Sequence, residues 1–528
     1  MKKQKVAIYD TTLRDGAQAE GVSFSSLGKL QLARQLDAFG VDYIEGGFPG
    51  SNPKDMAFFE AARKETFQHA KIAAFGSTRR VKTKVQDDPI VQGLLQADTP
   101  VVTIYGKSWK LHVKDVLRTS ATENLAMVSD TVAFLKEKGK EVIFDAEHFF
   151  DGYKHDPEYA LQVLLAAEKA GADTLVLCDT NGGCMPHEVY TITQKIAEET
   201  QSQLGIHTHN DGGCGVANAL ESVRAGAVHV QGTVNGYGER CGNCNLTTIM
   251  PALQLKMGYS CIPAPKLRHL RDLSLFVDDL VNLRSDVRAP FVGHAAFSHK
   301  GGAHVNAVQK NPETFEHIHP EEVGNERHIL LSEVSGGSSI LLKAQEVGGG
   351  AATKEETAAI LKELKTLEHK GYAFEAADAS FKILVQKVLK KHKPFFELEG
   401  FRVVVEKRGA EEPCISEATV KVRVQGTIAH TVAEGDGPVN ALDGALRKAI
   451  SPFFPEVEHV QLADFRVRIL DPQEATAATT QVQIESSDGE QTWGTVGVSE
   501  NIIEASWLAL LDSVEYKLFM QEDSHKKK

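Results

Sequence analysis

The sequence predicts an α/β protein whose first part is a (β/α)8 TIM barrel, followed by a helical linker region and a C-terminal α+β domain. Three observations lead to this prediction. Short apolar runs alternate with longer amphipathic stretches over residues 1–265, polar side chains cluster directly after those runs, and apolar residues alternate with period two after residue 395. At 528 residues the chain is too long for one hydrophobic core, so several domains are expected.

The apolar runs are interpreted as the strands of the barrel. They are spaced by roughly 25–40 residues, about the length of one βα unit. Eight such units in this length favour a closed barrel over an open doubly wound sheet. The runs are Val6–Tyr9, Tyr43–Glu45, Ile72–Phe75, Val101–Tyr105, Val142–Phe144, Thr174–Leu177, Gly205–His207 and Val228–Val234.

The stretches between these runs are predicted to be amphipathic helices. Several end at a glycine that can cap a helix before the next strand, as at Gly40, Gly171 and Gly226. The clearest helical stretches are Leu27–Phe39, Asn124–Lys138, Pro157–Ala170 and Gly215–Ala225.

Polar and charged residues follow almost every predicted strand at its C-terminal end. TIM-barrel enzymes build their active sites on that rim, so we expect these residues to surround one site. The clusters are Asp10–Asp15, Glu45, Ser77–Arg79, Glu147–His148, Asp179–Asn181, His207–Asp211 and Asn235–Asn243.

The pattern changes after the barrel, and three domains are predicted, over residues 1–265, 266–394 and 395–528. In the middle region, helix-like segments such as His269–Arg284 and Lys354–Lys370 are joined by glycines at 301–302, 336–337 and 348–350. We interpret this region as helical linker subdomains with hinges, and not as an independent sheet domain.

The last region alternates like half-buried strands, and two predicted helices interrupt the alternation. Each helix follows a glycine-rich segment, GDGP or WGTVGVS, which predicts a two-fold pseudo-repeat of a small α+β unit. The strands are predicted at Arg402–Glu406, Ala418–Val424, Phe465–Ile469 and Thr480–Glu485, and the helices at Val439–Ala449 and Glu500–Leu518.

The composition limits the classes of function. A net charge of −13 argues against nucleic acid or an anionic membrane as the main partner. No apolar run is long enough to cross a membrane, and the first ten residues lack the apolar stretch of an export signal. Seven scattered cysteines, an odd number, indicate a reduced cytoplasmic protein without a disulfide framework.

The segment HTHND predicts a metal site. Because side chains alternate along a strand, His207 and His209 can point to one side while Thr208 points to the other. In a closed barrel the first strand neighbours the eighth, so Asp15 can face both histidines, and Asn243 can add an amide oxygen. Two imidazoles and one carboxylate leave open positions on a divalent metal, as catalytic sites require.

Other candidates remain ambiguous from the residues alone. Arg14 has the donor fork for a substrate carboxylate or a developing enolate, but it could equally pair with a neighbouring acid such as Asp15. Glu147 could be a counter-ion or could orient a base, and His304, a lone histidine in the linker, is in such a context more often structural. The C-x-x-C at Cys241 lacks a second pair at zinc-finger spacing, so we expect ordinary buried thiols there.

Three motifs together resemble a known superfamily. DTTLRDGAQ at residues 10–18, HTHND at 207–211 and GYGERCGN at 236–243 look like the metal-dependent acyltransferases and lyases that include the isopropylmalate, homocitrate and citramalate synthases. The linker motif around His304 and GDGPVNA resemble the same synthases. FDAEHFFDGYK and NGYGERCGNCNL are most similar to the citramalate synthase branch. Ala17 departs from the family, which usually has an acidic residue there.

The resemblance implies an activity with several candidate substrates. An enzyme of this kind condenses acetyl-CoA with a 2-oxo acid, and the branch implies pyruvate as substrate and (R)-citramalate as product. Isopropylmalate and homocitrate synthases use larger 2-oxo acids, and Tyr105 and Leu111 are candidates for setting pocket size. A metal-dependent lyase and a non-catalytic amino-acid sensor are the remaining alternatives. The metal would be Mn, Zn, Co or Mg.

The resemblance also implies roles for individual residues. Asp15, His207 and His209 match metal ligands, Asn243 matches a nearby amide, and Arg14 matches an arginine near the reacting carbonyl. Glu147 and His304 match a pair used in proton transfer, and Thr180 matches a threonine that holds the substrate carboxylate. The C-terminal repeat matches a regulatory domain that binds the end-product amino acid, here isoleucine. A homodimer is expected, in which His304 could complete the site of a partner subunit.

Overall fold

The computed structural model of the chain describes residues 3–50, 53–330, 353–471 and 478–527. They divide into two compact units, the first formed by Met1–Phe297 with His317–Arg327 and the second by Ser298–Glu316 with His328–Lys528. The predicted glycine hinges at 336–337 and 348–350 lie outside the described residues. The two boundaries between the three predicted domains remain predictions.

The described residues of the first unit contain a closed barrel of eight parallel strands, as the sequence predicts. Each strand pairs with the next, and the first closes the barrel by pairing with the eighth. The strands are β1 (Ala7–Asp10), β2 (Tyr43–Gly47), β3 (Lys71–Ser77), β4 (Val101–Lys107), β5 (Glu141–Glu147), β6 (Thr174–Asp179), β7 (Gln203–Thr208) and β8 (His229–Gly232).

Helices surround the barrel, and the four clearest predictions agree with the structure to within a few residues at each end. Gly40 ends the first helix with a φ of 98°, and a Cβ there would lie 2.6 Å from Pro263 Cδ, so only glycine fits. The helices are α1 (Ser26–Phe39), α2 (Pro53–Ala62), α3 (Pro89–Ala97), α4 (Lys110–Asp115), α5 (Ala121–Glu137), α6 (Phe149–His155), α7 (Pro157–Lys169), α8 (Pro186–Glu199), α9 (Gly215–Arg224), α10 (Leu246–Pro251) and α11 (Leu270–Leu280).

The barrel has two apolar layers that leave one end free for polar groups. A large cluster packs the outer faces of the strands against the helices. A smaller cluster fills the interior, and it includes Tyr9, Ile143 and Val176. Above it, towards the C-terminal ends of the strands, inward positions carry polar side chains such as Asp145 and His207. The active-site rim predicted from the sequence is therefore at this end.

The second unit begins with mostly helical structure, as predicted for the linker region. Its helices are α12 (Gly302–Lys310), α13 (Lys354–His369) and α14 (Asp378–Val388). One short parallel pairing, between β9 (Ser298–His299) and β10 (His328–Ile329), was not predicted, because two residues are too few to give a period.

In the described part of residues 395–528, two antiparallel three-stranded sheets are each followed by a helix, which matches the predicted pseudo-repeat. Two strands were missed, and WGTVGVS forms one of them instead of a glycine turn. Gly494 and Gly497 weaken its strand pattern, yet a Cβ at either would lie 2.0 Å or less from a backbone oxygen. The elements are β11 (Phe396–Glu406), β12 (Ile415–Val424), β13 (Thr427–Gly435), α15 (Pro438–Ile450), β14 (Gln461–Ile469), β15 (Thr480–Ser487), β16 (Thr492–Ser499) and α16 (Ile502–Lys527).

The described part of the chain gives no support for a transmembrane helix. Among these residues, no helix combines the length and the hydropathy that a transmembrane span requires.

Candidate metal centre and active site

Three buried side chains that the sequence predicted to converge lie together at the barrel mouth. Asp15 Oδ2 lies 3.3 Å from His207 Nε2, and His207 Nε2 lies 3.3 Å from His209 Nε2. One ligand atom from each residue falls within 4.8 Å of the others. The spacing suits one cation held by two imidazoles and a carboxylate, although their role as metal ligands stays a prediction.

Strand pairing explains why these residues meet. Asp15 follows β1, which pairs with β8, and β8 pairs in turn with β7, which carries His207. His209 lies just beyond β7 and forms an isolated antiparallel bridge with Asn243. Thr208 points to the other face, where its hydroxyl donates to Gly215 O over 2.8 Å. Backbone pairing therefore aligns segments that are far apart in sequence.

Asn243 supports the predicted amide position. Its Nδ2 donates to Asp15 Oδ2 over 2.6 Å. Its Oδ1 and His209 Nδ1 are both buried and find no hydrogen-bond partner among the residues that the structure describes. A Cβ at Gly238 would lie 2.1 Å from Asn243 Oδ1, so glycine leaves room for this amide. Asn243 therefore reaches Asp15 through its amide nitrogen, and the place of its amide oxygen beside a metal stays a prediction.

The electrostatics of the cluster favour an ionised Asp15 and a neutral His209. Burial alone would raise the pKa of Asp15, but Arg14 and His207 hold it well below its usual range. Burial, and then the neighbouring His207, lower the pKa of His209 to about 3. Burial alone would lower the pKa of His207, but its hydrogen bond to Asp15 and the charge of that carboxylate raise it. An ionised carboxylate and a neutral imidazole are the forms that bind a cation.

Arg14 is held by two carboxylates and an aromatic ring. Its Nε donates to Glu45 Oε1 over 2.6 Å, and its Nη1 lies 3.4 Å from Asp15 Oδ1. Its guanidinium carbon lies 3.8 Å from the ring centroid of Phe75. Burial alone would lower the pKa of Arg14, but Asp15 and Glu45 raise it above its usual value. The side chain is therefore a fixed cation at the mouth of the barrel.

Glu45 fixes the position of this arginine, a role that the sequence did not reveal. The carboxylate also accepts hydrogen bonds from the Tyr9 hydroxyl over 2.6 Å and from Thr11 Oγ1 over 2.5 Å. Glu45 is fully buried, so its charge requires all three donors. The pairing of Arg14 with an acid, one of the two interpretations left open above, is present, and Arg14 also lines the cavity described next.

A cavity of about 250 Å³ opens beside the three candidate ligands. One side is an aromatic wall, which we define as Phe48, Phe75 and Tyr105. The ring of Phe75 stacks on Tyr105 at a centroid distance of 5.5 Å and meets Phe48 edge-on at 5.8 Å. The lining residues are Arg14, Asp15, Gln18, Phe48, Phe75, Tyr105, Asp145, Glu147, Cys178, Thr180, His207, His209 and Glu239.

Of the two residues suggested to set pocket size, Tyr105 lies on this wall. Leu111 instead lies on α4 with 44% of its surface exposed, and it is not part of the wall as described. Its apolar character in the sequence therefore has no connection to the cavity.

Glu147 and Thr180 face the same cavity with different partners. Glu147 forms an ion pair with Lys107, so Lys107 is its counter-ion and Arg14 is not. Thr180 Oγ1 accepts a hydrogen bond from the His148 backbone N–H over 2.9 Å. A hydroxyl group can donate one hydrogen bond while it accepts another, so Thr180 can still donate towards the cavity that it lines.

The remaining candidates lie elsewhere. His304 belongs to the second unit, where it is exposed on α12 and stacks on Phe315 at a centroid distance of 4.1 Å. In the C-x-x-C, Cys244 is buried as expected, whereas Cys241 is exposed. All seven cysteines lie within the described residues as free thiols, as predicted from their number and scatter.

Sequence reasoning missed two further polar residues at the mouth. Asp145 lies on β5 two positions before Glu147, and Gln231 lies on β8; both are buried. Burial raises the pKa of Asp145 to about 7, and His207 opposes that increase. The signal that could have found them is a polar side chain at an inward position of an otherwise apolar strand.

Family models match consecutive segments of the chain. The HMGL-like model matches residues 5–277, the homocitrate synthase post-HMGL domain-like model matches residues 291–372, and the LeuA allosteric (dimerisation) domain model matches residues 375–518. Together with the closed barrel and its clustered carboxylate and imidazoles, these matches define an HMGL-like barrel protein with an appended LeuA-type domain.

Curated relatives narrow the family. The (R)-citramalate synthase of Geobacter sulfurreducens is 53% identical, covering 98% of each chain. The (R)-citramalate synthase of Aquifex aeolicus is 52% identical over 98% of this chain and 99% of its own. The 2-isopropylmalate synthase of Methanocaldococcus jannaschii is more distant, at 32% over 98% and 96%. The chain belongs to the (R)-citramalate synthase family, and the resemblance of its motifs to this branch is confirmed.

Proposed function

We propose that this chain is a cytoplasmic acyltransferase that joins acetyl-CoA to pyruvate, giving (R)-citramalate and free coenzyme A for isoleucine biosynthesis. The observation that carries the proposal is the small cavity where Arg14 and the Asp15–His207–His209 cluster face an aromatic wall. One water is consumed to cleave the thioester. The alternatives, isopropylmalate and homocitrate synthesis, require larger 2-oxo acids, and the isopropylmalate synthases are the more distant relatives.

Asp15, His207 and His209 would hold a divalent metal, with Asn243 beside them. The donor set accepts Mn, Zn, Co or Mg. When bound, the metal would supply Lewis acidity that polarises the ketone of the 2-oxo acid and makes its carbon electrophilic. Two histidines and one carboxylate leave room for substrate, as a catalytic site needs.

Arg14 would stabilise the nucleophile. The methyl group of acetyl-CoA is weakly acidic, so loss of its proton develops negative charge on the thioester oxygen. Arg14 is a buried cation whose orientation Glu45 and Phe75 fix in advance, so little reorganisation is needed when that charge forms. The enolate carbon then attacks the ketone carbon of pyruvate, and the new carbon–carbon bond forms.

Thr180 would position the substrate carboxylate. Its hydroxyl oxygen accepts from the His148 N–H, which orients the hydroxyl hydrogen as a donor. An anionic carboxylate is the acceptor for which such a donor is suited.

Glu147 and His304 would carry out proton transfer, as the family motif implies. One group removes the methyl proton and the pair assists the water that cleaves the thioester. Glu147 faces the cavity, and Lys107 keeps its carboxylate in place.

Parallel thiol-release assays test the proposal. Acetyl-CoA would be offered with pyruvate, 2-oxobutyrate, 2-oxoisovalerate or 2-oxoglutarate, each with and without added divalent metal and isoleucine. We expect the highest kcat/KM with pyruvate, because the aromatic wall limits the space beside Arg14, and we expect isoleucine to inhibit. A larger 2-oxo acid reacting fastest would contradict the proposed substrate, and equal activity after complete metal removal would contradict the metal.

The C-terminal repeat would bind isoleucine and would dimerise the chain. Its sheets expose apolar strand residues, including Val405 at 53%, Ile428 at 47% and Ile469 at 54%, which is the type of surface that a partner subunit covers. The matching family model bears the description allosteric and dimerisation domain.

Mixing two inactive variants tests whether active sites are shared in the proposed homodimer. Asp15→Ala removes a candidate ligand, and His304→Ala removes a candidate acid–base group. If each site combines one barrel with the partner's His304, random pairing makes about half of the dimers mixed and each mixed dimer has one intact site, so the mixture regains up to about a quarter of the wild-type sites. Each variant alone is the control, and thiol release is the readout. A mixture as inactive as its components would show that every site is completed within one chain.

A further inference from the structure

We propose that Gln231 and Asp145 are positioning residues that hold His207 in the one tautomer able to bind a metal through Nε2. The inference rests on the metal site of the proposed function and adds two residues to it. It concerns the cation affinity of the site, which can be measured without any substrate.

The three side chains form one hydrogen-bonded chain inside the barrel. His207 Nδ1 lies 2.9 Å from Gln231 Oε1, and Gln231 Nε2 donates to Asp145 Oδ1 over 2.9 Å. All three are buried, with exposed fractions of 6%, 1% and 4% respectively. Buried donors require acceptors, so the hydrogen bonds that link these three side chains all run in one direction.

That direction is set at the Asp145 end. The carboxamide of Gln231 is placed with its Nε2, and not its Oε1, towards Asp145 Oδ1, so its NH₂ group donates to that carboxyl group. The carbonyl oxygen of Gln231 then faces His207, and an oxygen there requires Nδ1 to carry the proton. The lone pair of the neutral imidazole is therefore left on Nε2.

Nε2 is the atom that faces the other candidate ligands. It lies 3.3 Å from both Asp15 Oδ2 and His209 Nε2. In the opposite tautomer an N–H would point into the space that a cation occupies, and Nδ1 would face a carbonyl oxygen without a proton between them. The carboxamide thus excludes the tautomer that cannot bind metal.

Backbone register and barrel closure bring these groups together. Gln231 on β8 is paired in register with His207 on β7. Asp145 lies on β5, which is not adjacent to β8 in the barrel, so its bond to Gln231 crosses the barrel interior. The hydrogen bonds through Gln231 therefore link the ring of His207 to β5, a strand on another side of the barrel.

The test removes or preserves the acceptor that faces His207 Nδ1. Gln231→Met removes it with little change of volume, whereas the double variant Gln231→Glu with Asp145→Asn keeps an acceptor facing His207 and a donor at position 145. Affinity for Co²⁺ would be measured by chelator competition and by the visible d–d spectrum of the purified full chain. We expect Gln231→Met to weaken Co²⁺ binding about 10–100-fold, the usual effect of losing an orienting partner, and the double variant to keep an affinity close to that of the wild type.

Two further variants separate positioning from general stability. Gln231→Leu also removes the acceptor without adding charge, so it replaces Gln231→Met if that protein does not fold. Gln254→Met is the matched control, because Gln254 is another buried glutamine that accepts from the backbone N–H groups of Cys261 and Ile262, away from the site. It should leave the Co²⁺ affinity and spectrum unchanged.

Specific results would overturn the inference. Wild-type Co²⁺ affinity in folded Gln231→Met or Gln231→Leu would do so, as would a double variant that binds Co²⁺ no better than Gln231→Met. A wild-type chain that makes citramalate without binding Co²⁺ would also overturn it while leaving the proposed reaction intact. A wild-type chain that binds Co²⁺ but releases no thiol with any 2-oxo acid would overturn the proposed function alone.

Discussion

His207→Ala is expected to abolish metal binding and citramalate formation together while the barrel stays folded. His207 contributes the central nitrogen of the candidate site, because its Nε2 lies 3.3 Å from both neighbouring ligand atoms. Lewis-acid polarisation is worth several kcal/mol of transition-state stabilisation, and about 4 kcal/mol corresponds to a rate loss of about 10³-fold. Metal content after dialysis, thiol release and circular dichroism would be measured on the same preparation.

His229→Ala is the matched control for this loss. His229 is a second buried histidine of the barrel, and its ring packs against Tyr9 and Tyr43. Its truncation should lower the melting temperature through lost packing but should leave the metal content unchanged. A His207→Ala chain that retains metal and full activity would remove the proposed metal centre from the mechanism.

Arg14→Lys is expected to lower kcat on the order of 10²–10³-fold while metal binding persists. Lysine keeps one positive charge for Glu45, so the buried carboxylate is not left unpaired. It lacks the planar fork that lets the arginine contact Glu45 and Asp15 at once and still face the cavity. The measurement is kcat and KM for pyruvate at saturating acetyl-CoA, together with metal content.

Arg79→Lys is the control for the loss of a buried guanidinium. Arg79 is also buried and pairs with Glu123 and Asp130, but it does not line the cavity as described. We expect that substitution to reduce the free energy of unfolding without a comparable change in kcat. If Arg14→Lys changed stability by the same amount and kept wild-type kcat, Arg14 would be a structural ion-pair partner and not a catalytic residue.

Features with a local period were predictable from the sequence. The barrel strands are buried on both sides and therefore read as continuous apolar runs, which is why all eight were found. The convergence of His207 and His209 follows from strand alternation, and that of Asp15 follows from closure of the barrel. These inferences need only the geometry of a strand and the assumption that the sheet closes into a barrel.

Contacts between side chains from different strands were not predictable. The pairing of Arg14 with Glu45, and of Gln231 with Asp145, joins strands whose relative rotation fixes which side chains meet. Leu111 is an error of a different kind. The sequence suggested it as a pocket residue near the fourth strand, but it lies on an exposed helix face. Side-chain partners of this kind depend on the three-dimensional register of the barrel, which a single sequence does not reveal.

The bridge between His209 and Asn243 has a consequence for biosynthesis. Asp15 lies near the beginning of the barrel sequence and Asn243 near its end, yet the two are hydrogen-bonded. A nascent chain therefore cannot assemble the complete cluster until the ribosome has released the eighth strand and the loop after it. Any fragment that stops earlier lacks that amide and the hydrogen bond that it donates to Asp15.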